Sequence, residues 1–249
     1  MTWMESLPLA IVAAAILYLP GLAVLLPARL PALATLAVAP AIGISVAAGS
    51  AVLAWATGAT WGLGWVLATT AVLALPALLL GRRVGAQRTG GKWTAAAPDV
   101  AGIAIAALVL TPPLLAAMQG PERFSQRFDN VFHLNAIRSV LETGAGSPFS
   151  FGTVGSPGFY PAAWYDWTAL TANLGSAPIT AAVQVCSLVT VLAVWPIGMV
   201  WLATSVFRLG TLGRFAAGPL ALSSVSFPLS FIEWGPLYPN LLGLAFAPG

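Results

Sequence analysis

Between Glu122 and Arg138 the chain gathers five ionised side chains, Glu122, Arg123, Arg127, Asp129 and Arg138, together with its only histidine, His133. The stretch FDNVFHLNAIRSVLE, residues 128–142, contains neither Gly nor Pro and runs into Thr143-Gly144, which predicts a helix with a stop. At 100° per residue Asn135, Arg138, Ser139 and Glu142 share a wet face. Asp129 and His133, four apart, fall on the other side with Ala136, Ile137 and Val140, the stripe expected to be buried. Two chemistries fit that placement. Asp129, held at a membrane surface in a partly desolvated pocket, can serve as a general base. Equally, an anion in the first helical turn is favoured by the helix dipole and can pair with His133.

Arg123, Arg127 and Arg138 surround the position, and guanidinium groups at the mouth of a membrane cavity suit phosphate or pyrophosphate. Contact with lipid headgroups, or an Arg138 pair with Glu142 four residues on, fits as well. Residues 147–158 are rich in Gly, Ser and Pro and read as a mobile loop. Phe159-Tyr160-Pro161 and Trp164-Tyr165-Asp166-Trp167 follow, as an interfacial aromatic belt or as a stacking platform for a sugar ring. Glu233, with Trp234 and Tyr238, is placed to meet Asp129 across a cavity or to cap a helix boundary.

Other chemistries are excluded. There is no HExxH, no GxxxxGK[ST] and no GxSxG, and one histidine supplies neither a serine-type triad nor a histidine metal cage. The single cysteine, Cys186, excludes an intramolecular disulfide and a cysteine-based zinc site. No cofactor is expected, with a divalent cation left open.

The elements that must position these residues are apolar. The chain of 249 residues is 59% hydrophobic and 7% charged, with a mean hydropathy of +0.90. Soluble domains carry about 25% charged residues. Uncharged runs of about twenty residues predict membrane-crossing helices over about 7–26, 33–55, 61–80, 100–118, 178–203 and 215–232, the fourth kinked at Pro112-Pro113. The fold class expected is therefore all-α, a polytopic transmembrane bundle with one long loop, residues 119–176, carrying a surface helix. An apolar run from Leu241 reads as the start of a seventh span, so that 1–249 is a single transmembrane domain from the N-terminal part of a longer chain. The N-terminus has no basic residue before its apolar run and reads as a retained span.

Seven of the ten Lys and Arg lie at Arg29, at 82–92 and at 208–214, in alternate connectors. The positive-inside rule then places the N-terminus and the 119–176 loop outside the cytoplasm, in a multi-pass protein of the plasma membrane. The net charge of +3 sits at span ends, so it points to membrane lipids and not to nucleic acid.

A span leading to this loop, an acidic residue near the loop's start in FDNVFHLNAIRSVLETG, a Gly-rich stretch and FYPAAWYDW before the next span together resemble the C-type (GT-C) glycosyltransferases. The layout, over about Val100 to Ala203, is similar to large actinobacterial polytopic membrane proteins of unknown function. The resemblance implies a cell-envelope enzyme that takes sugar from a polyprenyl-phosphate donor to an envelope glycan acceptor. Asp129 would be its catalytic residue, Arg127 and Arg138 would hold the lipid phosphate, and His133, Tyr160, Trp164, Asp166 and Glu233 would shape the substrate pocket. A transporter or lipid flippase with the loop as its lid, or a non-catalytic membrane scaffold, are the other classes compatible with the sequence.

Overall fold

An apolar run inside a bilayer has no water to bond its backbone, so it must close on itself as a helix. The structure, a computed structural model, describes residues 1–84, 96–151, 158–233 and 236–249, with the side chains of residues 82–84 and 233 outside that description. Four helices are single spans: α1 (Leu7–Leu25), α2 (Ala32–Ala56), α3 (Leu63–Val84) and α4 (Ala97–Met118). A fifth span, Ile179–Val206, is built from α7 (Ile179–Val189) and α8 (Trp195–Val206). A wide turn at Thr190–Val194 joins them, just ahead of Pro196, whose ring cannot take its place in a regular helical ladder. The protein is an all-α polytopic helical bundle and a multi-pass membrane protein.

The sixth span, expected unbroken over 215–232, is broken. Helix α9 (Thr211–Leu222) and the segment Val225–Ile232, which ends in the short helix α10 (Ser230–Glu233), meet at 42°. Proline pushes the residue before it into extended backbone, and Phe227, ahead of Pro228, has φ −136° and ψ 133°. By contrast α4 runs on through Pro112 and Pro113 as one helix.

Helices α1 and α2 meet backbone to backbone, since a Cβ on Gly21 would lie 1.9 Å from Ala39 O and one on Gly43 1.9 Å from Leu17 O. Without a hydrophobic drive between helices in lipid, such close approach is a main source of cohesion. On the periphery, only 11% of the span is buried in α3 and again in α4, whose Leu67, Val72, Leu108 and Val109 face outward as lipid contacts do.

The core is organised around a helix that the aromatic stretch conceals. Helix α6 (Ala163–Leu174) lies against α1, α2, α5 (Asp129–Thr143) and α7, and Trp164 through Ala172 are all buried. Within the 119–176 segment, residues 164–172 are neither surface loop nor interfacial aromatic belt but are packed inside the bundle. Trp167 Nε1 donates to Ala13 O at 2.9 Å, and Thr168 and Thr171 turn their hydroxyls back onto the carbonyls of Trp164 and Trp167, whereas Trp164 Nε1 and the Asp166 carboxyl on the same helix have no partner among the described residues. Helix α11 (Tyr238–Ala245) closes the same cluster with Tyr238, Leu242 and Ala245.

Trp61 N donates to Gly144 O at 2.8 Å and the N-terminal amine to Glu122 at 2.8 Å, so the α2–α3 turn, the start of α1 and the 119–176 segment share one face. On the other, Asp99 in the first turn of α4 is wholly buried and bonded twice by Arg214 of α9, through Nε at 3.0 Å and through Nη2. A buried carboxylate needs such a partner.

Candidate functional site

Helix α5 forms where expected and ends at Gly144, whose φ of 65° is the left-handed stop that glycine takes without strain. It buries Asn130, His133, Ala136, Ile137 and Val140 and leaves Asn135, Arg138 and Glu142 in the open. Asp129, in the same angular stripe, is exposed. Side chains on a helix lean toward its N-terminus, so one in the first turn projects beyond the end of the packed face.

His133 does not hydrogen bond to Asp129. Its Nε2 lies 2.7 Å from Pro236 O and its Nδ1 2.7 Å from the Tyr165 hydroxyl. A carbonyl only accepts, so Nε2 carries the proton and Nδ1 of the neutral ring accepts from Tyr165. Tyr160 packs its ring 6.0 Å from that of Tyr165, and the line Tyr165–His133–Pro236 ties α5, α6 and the connector before α11 together. Aromatic rings fill the space around it. Trp164 stacks on Tyr238 at 4.5 Å and 9°, and Phe132 meets Tyr160 edge-on at 4.9 Å. Trp164 is 1% exposed, so its ring face is occupied by Tyr238 and not open to a sugar. Tyr160 is half-buried.

Burial pushes the His133 pKa below the ordinary imidazole value, against opposing pulls from the Pro236 carbonyl and the Asp129 charge. A histidine whose folded pKa is depressed adds stability above its unfolded pKa, about 6.5, that is lost as pH falls through the folded value. In detergent, the melting midpoint of the wild type is expected to drop by a few degrees between pH 7.5 and pH 5, and His133→Gln to lose that increment.

Asp166 is the second anomaly. It is 0% exposed, neither carboxylate oxygen has a hydrogen-bond partner, and burial holds its pKa well above the usual carboxylate range. Gly146 presses on it: a Cβ there would lie 2.5 Å from Asp166 Oδ1 and 2.9 Å from Trp61 Cε3.

The remaining candidates scatter. Arg127 is exposed near Asp129, whereas Arg138 bonds Glu142 at 2.7 Å with both side chains mostly in solvent, the surface pairing foreseen as its simplest role. The side chain of Glu233, and Trp234, lie outside the described residues. Among the described residues no three His, Cys, Asp or Glu come together as a metal cage.

A cavity of about 390 Å³ opens beside this network. Its lining combines apolar Leu114 and Met118 of α4 and Ile232 of α10 with polar Arg123, Gln126 and Gln184. Gln184 was not singled out from the sequence, although a lone amide inside the apolar helix ITAAVQVCSLV was the signal to follow.

Spans, buried core and a polar segment folded into one face define a polytopic helical membrane protein. Over residues 14–249 the chain matches the model of a family of unknown function, DUF6541, and it belongs to that family. Neither the curated proteins nor the solved structures contain a match.

Proposed function

We propose that the protein is a glycosyltransferase of the cell envelope, moving a sugar from a polyprenyl-phosphate donor to an envelope glycan on the extracytoplasmic face. The observation that carries this reading is the placement of Asp129: an exposed carboxylate on a helix pinned to the core one turn later by His133. An acceptor can reach it, and its helix is anchored to the core through both ring nitrogens of His133. In the reaction Asp129 takes the proton of an acceptor hydroxyl, and the oxygen attacks the anomeric carbon. The bond from that carbon to the lipid phosphate breaks with its electron pair going to phosphate. Negative charge grows on the leaving phosphate, so a nearby guanidinium such as Arg127 lowers the barrier. Tyr160, Trp164 and Asp166 support the pocket from behind in this reading. A second reading, lipid transport with the 119–176 segment as a lid, is favoured by the amphipathic cavity alone.

The direct test is transfer of label from polyprenyl-phosphate sugars by membranes containing the full chain, compared with Asp129→Asn at equal expression. Transfer lost in the variant supports the reading, and transfer from no donor overturns it. Orientation has its own test, because the one native thiol, Cys186, is wholly buried. A cysteine placed at exposed Asn135 is expected to react with a membrane-impermeant maleimide in intact cells, while the parent protein stays unlabelled; labelling only after lysis reverses the topology.

A further inference from the structure

The 390 Å³ cavity is amphipathic in a way that specifies an occupant. Gln184 is 6% exposed and its Nε2 donates to the backbone carbonyl of Arg123. That carbonyl can only accept, so the amide orientation is fixed and Oε1 points elsewhere, buried and without a partner. A buried amide oxygen left unpaired is costly and asks for a donor. Beside it the Arg123 side chain lines the cavity and makes no ion pair among the described residues. An exposed cation and a residue with an unpaired acceptor therefore line the same cavity. Leu114 and Met118 of α4 and Ile232 of α10 add apolar surface to the same lining. Free phosphate would leave that surface unused, and an apolar molecule would bury both polar groups unsatisfied.

We propose that this cavity seats the head of an anionic lipid, its phosphate against Arg123, a hydroxyl of the head donating to Gln184 Oε1, and its chain running along Leu114 and Ile232 toward the bilayer. The proposal deepens the glycosyltransferase reading, in which the lipid is the sugar donor, and it moves the phosphate contact from Arg127 and Arg138, neither of which lines the cavity, to Arg123. The same head chemistry belongs to a prenyl phosphate and to a resident glycerophospholipid.

The experiment is equilibrium binding to the purified full chain in dodecyl maltoside, with geranylgeranyl phosphate, dihexanoyl phosphatidylglycerol, geranylgeraniol and inorganic phosphate as probes. Both charged amphiphiles are expected to bind better than the alcohol or the free ion, and the tighter of the two identifies the source. Arg123→Gln keeps the backbone carbonyl that holds Gln184, and is expected to weaken binding about 10- to 100-fold, as the loss of one hydrogen bond to a charged group does. Leu114→Trp, a change in the apolar part of the lining that removes no charge, is expected to block the chain's path and weaken the amphiphiles as well. Equal binding of geranylgeraniol, equal binding of inorganic phosphate, no binding at all, or an unchanged Arg123→Gln overturns the proposal. Binding without transfer separates this site from the chemistry at Asp129, and transfer without binding removes the site while keeping the enzyme.

Discussion

Asp129→Asn is expected to lower sugar transfer by about 10²- to 10⁴-fold, the range that a positioned general base contributes, while leaving the protein folded. The side chain is exposed at the open end of α5, and asparagine has the same shape, so no packing is lost. What disappears is the ability to take a proton from the acceptor. KM for the lipid donor should hardly change, because the carboxylate acts on the hydroxyl in the transition state and not on the bound lipid. Asp129→Glu, which restores a carboxylate on a longer arm, should recover part of the rate. The competing reading is that Asp129 only favours the first turn of α5 through the helix dipole. On that reading asparagine changes the melting midpoint slightly and transfer not at all. Rates and melting curves of the three proteins, measured together, separate the two.

The spans were legible because a bilayer imposes a length and a composition that a twenty-residue window detects. Helix α5 was legible because Ala136, Ile137 and Val140 repeat at helical spacing and Gly144 follows. Helix α6 was hidden for a physical reason: its residues Trp164–Ala172 are buried on every side, so no face contrast marks it. Its signs were Trp164, Trp167, Thr168 and Thr171, spaced as a helix, with Pro161 before it and Gly175 after it. Composition placed those tryptophans at the interface, and packing took them inward. The His133 contacts were out of reach, because Tyr165 is 32 residues away and Pro236 is 103. A local pattern names the nearest carboxylate as partner. Only the tertiary fold shows that α6 and the connector before α11 arrive first.

Gly146→Val is expected to destabilise the bundle by about 1–3 kcal/mol, the usual cost of forcing methyl groups into a filled core. The new Cβ would stand 2.5 Å from Asp166 Oδ1 and 2.9 Å from the Trp61 ring, and neither can retreat. Trp61 is held by its 2.8 Å bond to Ser50 Oγ, and Asp166 sits within the stretch Trp164–Ala172, buried on all sides. Asp166→Ala withdraws the obstructing oxygens, so the double variant should be more stable than the two single losses add up to, with a coupling above about 0.5 kcal/mol. The same carboxyl sets a pH slope. Its folded pKa is raised, so its contribution is fully present below the unfolded pKa and is lost as pH rises through the folded one. Asp166→Leu should therefore be more stable than the wild type at pH 8, by about 1–4 kcal/mol if it behaves like other buried charged groups replaced by apolar ones, and the gap should close toward pH 4. Loss of stability in Asp166→Leu at both pH values would mean that the carboxyl is held by a partner. Without that loss, the fold retains at Asp166 a group that works against its own stability, and a strongly perturbed buried carboxyl of that kind is a functional-site candidate.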